Sequence, residues 1–145
     1  MRTLVIDTSI FVSALIGETG ATREVLRRCL KDRYQPVMGA ALFYEYESVL
    51  QREKLFKDCP LSAIERGKLL DAFMSICRWI HVYYLWRPNL KDEGDNHVLE
   101  LAVASNATAV ITKNYKDFKN SELLFPDLTI LRPEQLLKED MLCLS

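Results

Sequence analysis

Histidine is nearly missing from this chain. Two residues, His81 and His97, in 145 are too few and too scattered to build a zinc site. The four cysteines, at positions 29, 59, 77 and 143, form no Cys-x-x-Cys pair. Cys29 and Cys77 fall within helical apolar patterns and are expected to pack in the core. Glycine is scarce too, at five residues. No glycine-rich loop follows the first apolar run, which argues against a dinucleotide-binding Rossmann protein. No apolar stretch is long enough to span a membrane, and the first residues carry no signal-peptide pattern. A reducing, cytoplasmic setting is the default expectation. The chain also lacks a charge excess: its formal net charge is -1. Overall electrostatics therefore favour neither nucleic acid nor membrane, although a local basic patch can still hold a polyanion. Repeats and low-complexity tracts are absent.

What is present is a core and a pattern. Apolar residues make up 49% of the chain, enough for one domain of this length, read here as residues 1–140 with a C-terminal tail, 141–145. The organising stretch is Thr3-Leu4-Val5-Ile6-Asp7-Thr8-Ser9. Three consecutive apolar residues predict a strand buried on both faces, as in a parallel sheet. The run ends at an acid, and a helix start follows, with Thr8 or Ser9 as its expected cap. Asp7 is thus placed at the carboxyl end of a central strand, the edge where open α/β sheets bind ligands. A carboxylate there is costly to bury unless something pairs with it.

Downstream, the pattern alternates. A short apolar helix, 8–16, closes at Gly17. A second helix, 21–31, carries the apolar stripe Val25, Leu26, Cys29 and Leu30, with Arg23, Arg27, Arg28, Lys31 and Arg33 around it. That basic face suits either solvent or phosphates. Residues 34–38 predict a strand. A third helix, 40–51, puts Leu42, Phe43, Tyr46, Val49 and Leu50 on one arc, with Glu45 and Glu47 on its two flanks. Periodicity alone does not choose between the two acids. A loop over 52–60 precedes a long helix, 62–80, with Ser62 and Glu65 as a capping box. Residues 81–84 predict another strand. Trp86, in the loop that follows, is suited to packing or to stacking on a base. Asp92 and Asp95 lead into a helix over 96–105 in which Val98, Leu99, Ala102 and Val103 face inward. Asp95 projects into the same inward sector, where an acid either caps or binds. Residues 109–112 predict a second fully buried strand, ending in Lys113-Asn114-Tyr115-Lys116-Asp117-Phe118. A last strand, 128–131, and a helix, 133–138, complete the chain. Strands alternating with helices predict an α/β fold: three α/β/α layers around a central, mostly parallel sheet.

In that arrangement Asp7, Glu45, Asp95 and Asp117 converge. Several carboxylates in contact cannot all stay ionised without a cation, and hard oxygen ligands suit Mg²⁺ or Mn²⁺. Such a site favours metal-assisted phosphodiester hydrolysis, since no histidine or cysteine nucleophile is patterned beside it. A haloacid-dehalogenase-type phosphotransferase also places an aspartate after its first strand. It needs a second acid two residues on, where this chain has Ser9.

Taken together, Ile6-Asp7-Thr8-Ser9, the mid-chain helical glutamate, the Asp92/Asp95 helix start and Thr112-Lys113-Asn114-Tyr115-Lys116-Asp117-Phe118 resemble a PIN domain over residues 2–138. The branch they resemble is the VapC-like ribonucleases, the toxin components of toxin–antitoxin systems. The resemblance implies a Mg²⁺- or Mn²⁺-dependent endoribonuclease acting on single-stranded RNA. It selects Glu45 over Glu47 and assigns catalytic roles to Asp7, Glu45, Asp95 and Asp117. Asp7, Asp95 and Asp117 would hold the metal, with Thr8, Ser9, Asp92 and Asn114 in support. Asn114 stands where many relatives carry an aspartate. Arg23, Arg27, Lys113 and Lys116 would contact RNA. A homodimer and an inhibitory antitoxin protein are further implied. The competing expectation is a non-catalytic module that keeps the PIN fold to bind RNA or protein.

Overall fold

In the computed structural model the described residues are 1–17, 20–82, 96–118 and 127–144. Their strands are β1 (Arg2–Ile6), β2 (Tyr34–Met38), β3 (Arg78–Trp79), β4 (Ala109–Ile111) and β5 (Thr129–Leu131). They form one five-stranded sheet in the order β3-β2-β1-β4-β5, with every pairing parallel. The expected mostly parallel α/β/α architecture is therefore the observed one. Leu4, Val5 and Ile6 are at most 1% exposed, as are Ala109, Val110 and Ile111 across from them in register. Both strands read as unbroken apolar runs because helices cover both faces of the sheet.

Among the described residues the helices are α1 (Thr8–Ile16), α2 (Gly20–Leu30), α3 (Ala40–Leu50), α4 (Ala63–Ile76), α5 (Asn96–Ala104), α6 (Tyr115–Phe118) and α7 (Pro133–Leu144), with a 3₁₀ turn at Glu53–Phe56. From β1 the chain steps to β2 and then β3 on one side. It then crosses to β4 and β5 on the other side of β1. Right-handed crossovers put α1 to α4 on one face and α5 on the opposite one. In keeping with this, α5 packs on β1 and β4, while α2 packs on β2, α1, α4 and α7. The direction of winding reverses between β1 and β4. A crevice opens at the carboxyl ends of two neighbouring strands at such a reversal.

Three aromatic rings lock the helices beneath that crevice. Phe11 of α1 meets Tyr46 of α3 edge-on at 5.4 Å between centroids, and Phe73 of α4 lies 5.7 Å from Phe11 and 6.0 Å from Tyr46. All three are at most 1% exposed. The Tyr46 hydroxyl donates to the Ile6 carbonyl at 2.6 Å, so α3 is tied to the last peptide before Asp7. Tyr46→Phe should cost about 1–2 kcal/mol by leaving that buried carbonyl unpaired, read as a lower urea midpoint at unchanged slope.

Several local expectations differ from what is observed. The long helix stops at Ile76 rather than residue 80, because Cys77 turns to extended backbone (ψ 139°). A strand forms at Arg78–Trp79, paired with Val37 and Met38; of the strand expected at 81–84, residues 81 and 82 are not in a strand, and the rest falls in 83–95, which, with Trp86, lie outside the described residues. Ile64 points to solvent, and Leu30 and Val103 are exposed rather than inward. The final helix continues to Leu144, so residues 141–144, read as tail, are helical. The capping box is as expected: Ser62 accepts from the Glu65 amide and Glu65 from the Ser62 amide. Ser62→Ala should therefore lower stability by about 1 kcal/mol, visible as a lower melting temperature.

Candidate active site

The crevice is built from the strand ends upward. Asp7 is the residue that turns β1 into α1 (φ -63°, ψ 149°). Its amide donates to the Ile111 carbonyl at 3.0 Å, so the backbone link between β1 and β4 extends to the acid itself. Its side chain is 3% exposed. Two hydroxyls donate to Oδ2: Ser9 Oγ at 2.7 Å and Thr112 Oγ1 at 2.8 Å. Ser9 Oγ also accepts from the Lys113 amide at 3.1 Å, and Thr112 Oγ1 from the Asn114 amide at 2.9 Å. Thr8 or Ser9 is the expected cap of this helix, but Asp7 takes that position. Thr8 and Ser9 instead lie inside its first turn, and their hydroxyls orient carboxylates.

Thr8 Oγ1 donates to Glu45 Oε1 at 2.8 Å. The other oxygen, Oε2, lies 2.6 Å from His97 Nε2 at the start of α5. Glu45 is half-buried between α1 and α5, whereas Glu47 is exposed. The helix packing makes the choice that periodicity left open. His97 had been set aside as too isolated for zinc. Its position in the first turn of the helix that Asp95 leads into was the available signal, and it takes a role as an acid's partner rather than as part of a histidine cluster.

Burial pushes the Asp7 carboxyl above its usual range. Its two hydroxyl bonds and the Thr8 amide oppose the shift, and the nearby Glu45 charge adds to it. Burial also works to raise Glu45. The hydrogen bonds from His97 and Thr8, with the charges of His97 and Arg52, outweigh burial and hold Glu45 below the ordinary carboxylate value. One acid strains against its charge while its neighbour is held ionised. The two share a cavity of about 340 Å³, lined also by Thr8, Ser9, Lys113 and Asn114.

The expected site residues divide into four groups. Asp7, Glu45, Thr8, Ser9, Asn114 and Lys113 meet at the cavity. Asp117 and Lys116 are exposed on α6 and do not line it. Arg23 and Arg27 line a separate, apolar cavity with Leu26 and Leu69; Arg23 Nε donates to the Ala14 carbonyl and Arg27 pairs with Glu24. Asp92 and Asp95 fall outside the described residues. Among the described residues no three histidine, cysteine, aspartate or glutamate side chains form a metal-binding group. Two carboxylates facing one cavity, with Glu45 raising the cost of ionising Asp7, nonetheless fit a hard divalent cation, which would relieve that repulsion. Tyr46, on the apolar arc of α3, is buried, while Tyr44 is 67% exposed.

Known proteins resemble this chain in sequence pattern and in fold. A PIN domain family model matches residues 3–116. Among solved structures, VapBC2 from Rickettsia felis, crystallised bound to a DNA fragment from its promoter, is 18% identical. The match covers 90% of this chain and 98% of that chain, with a TM-score of 0.59. A domain of a functionally unknown protein from Methanocaldococcus jannaschii is likewise 18% identical, covers 90% of this chain and 91% of that one, and has a TM-score of 0.52. At such identities the likeness is one of fold. No curated protein matches the sequence. Strand order, the acid closing β1 and the extent of the match lead to one assignment: the chain belongs to the PIN domain family.

Proposed function

We propose that this protein is a divalent-metal-dependent endoribonuclease for single-stranded RNA and the toxin of a toxin–antitoxin pair. The observation that carries the reading is the buried Asp7 carboxylate at the β1/β4 switch point, opening on a cavity it shares with Glu45. Asp7 and Glu45 would hold Mg²⁺ or Mn²⁺, with Asp95 and Asp117 as the remaining expected acids. Bound there, the ion supplies polarisation of the scissile phosphate and activation of water. Ser9 and Thr112 fix the Asp7 carboxylate, and Thr8 and His97 fix Glu45, so neither needs to reorganise as charge develops. Lys113 brings positive charge to the rim, where a flanking phosphate would lie. Asn114 offers a neutral amide beside it. The fold likeness to VapBC2 supports a protein antitoxin as partner; a homodimer and a cytoplasmic location go with the same reading. No helix among the described residues is long and apolar enough to cross a membrane.

A second reading, a PIN-fold module that binds without turnover, draws on the exposure of Asp117 and its absence from the cavity lining. Mn²⁺ titration with a fluorogenic single-stranded RNA separates the two. The nuclease reading expects cleavage that rises with metal and is abolished by chelation. It also expects RNA binding to be weaker without metal, because bare carboxylates repel phosphates. A pure, folded protein that gives no cleavage at any Mn²⁺ or Mg²⁺ concentration would leave only the binding module.

A further inference from the structure

A second cavity, of about 290 Å³, opens beside the first at the same end of the sheet. Gly39, Ala41, Trp79, His81, His97 and Glu100 are among the residues that line it. His97 separates the two spaces: its Nε2 holds Glu45, and the ring also forms part of the second wall. What sets this cavity apart is Glu100. The residue is 5% exposed, yet its Oε1 is buried without a hydrogen-bond partner among the described residues. One turn earlier Asn96, 2% exposed, leaves Oδ1 in the same condition, as does His97 at Nδ1. Buried polar atoms without partners are rare and costly in native proteins. Of the three, Glu100 lines this cavity, and its carboxylate calls for an occupant that donates hydrogen bonds.

The shape and the walls narrow the choice. The volume lies at the lower end for ligand pockets, roughly 300–1,000 Å³, which suits one planar ring system rather than a length of polymer. Trp79, 45% exposed, contributes an indole face, backed edge-on by Phe43 at 5.8 Å. Exposed aromatic faces of this kind stack on bases of single-stranded nucleic acid. The wall at Gly39 is close-packed: a Cβ there would come within 3.3 Å of Leu101 Cδ1 and 3.4 Å of the Ile80 carbonyl. A carboxylate only accepts hydrogen bonds. Of the four RNA bases, guanine alone offers two adjacent donors, N1–H and N2–H₂, to a carboxylate.

We propose that this cavity is a nucleobase subsite that selects guanine next to the cleaved phosphate, with Glu100 reading the base edge and Trp79 stacking on its face. Cleavage at that phosphate rests on the nuclease reading; recognition of the base does not. Binding is therefore measured apart from turnover. Fluorescein-labelled uridine hexamers, each with one central G, A or C, are titrated against the Asp7→Asn protein by anisotropy, and the same oligomers are cleaved by the otherwise native protein in Mn²⁺. The G-containing oligomer should bind about tenfold more tightly or better, the discrimination expected of a bidentate base contact. Cleavage should fall beside the G. Glu100→Gln should bring the three oligomers level. Should that variant fail to fold, Ala41→Phe, which fills the cavity from its exposed rim, should have the same levelling effect. G-selective binding without cleavage would sustain the subsite and remove the nuclease reading. Cleavage with no base preference would do the reverse. A preference that both variants leave intact would overturn the subsite, as would a Glu100→Gln protein altered only in Mn²⁺ affinity or only in melting temperature.

Discussion

Asp7→Asn should lose RNA cleavage by about 100-fold or more, since an amide cannot replace an anionic metal ligand, and should at the same time melt higher than the native protein in chelator. The gain, about 1 kcal/mol, follows the usual trade between stability and activity. Asp7 is 3% exposed, and burial penalises its charge. Asparagine keeps the shape and still presents an oxygen to the Ser9 and Thr112 hydroxyls, 2.7 and 2.8 Å from Oδ2, while it removes the repulsion with Glu45. Adding Mn²⁺ should reverse the order: the native protein gains stability by binding the ion and the variant does not. Thermal melts with and without metal, beside a cleavage assay, check all three parts. A variant less stable than the native protein in chelator would mean that the Asp7 charge is already compensated by protein groups.

Phe73→Ala should cost about 3–5 kcal/mol, a large share of the roughly 5–15 kcal/mol that holds a domain together. Phe73 is 1% exposed, and its ring meets both Phe11 and Tyr46. Through these two rings α4 sets the seating of α1 and α3, the helices that begin at Asp7 and carry Glu45. Activity should therefore fall even at denaturant concentrations where the variant is still folded, although Phe73 does not line the cavity. Urea unfolding paired with cleavage rates below the transition tests this. Full activity in the folded variant would show that the acids hold their places without the aromatic cluster.

Part of this site is legible in the sequence and part is not. The strands β1 and β4 were legible because both are buried on two faces and so lack polar interruptions; the acid closing β1 then stands out. Glu45 was half legible. Periodicity put it and Glu47 on opposite flanks of one arc; the family resemblance selects Glu45, and the packing of α3 against α5, with His97 at 2.6 Å, gives the physical reason. The end of α4 was not legible: apolar residues continue through Ile80, and neither glycine nor proline marks Cys77, where the backbone turns extended. Arg66 was missed for a related reason. A charged residue on a helix reads as solvated, yet it is 4% exposed, with its guanidinium 4.5 Å over the Phe56 ring and Glu53 as ion-pair partner. The basic face of α2 looked like a phosphate track, but Arg27 and Arg28 share Glu24, at 2.7 and 3.0 Å. Local pattern reports which face is wet. It does not report which wet side chain finds a partner from a distant helix.

Everything proposed for the site requires that the β1 edge grip a divalent ion. Mn²⁺ binding followed by electron paramagnetic resonance, in the native protein, Asp7→Asn and Glu45→Gln, addresses that without any RNA. Saturable binding in the native protein, lost in Asp7→Asn and weakened in Glu45→Gln, is the predicted result. Equal Mn²⁺ uptake by all three proteins, or none by the native one, would contradict it.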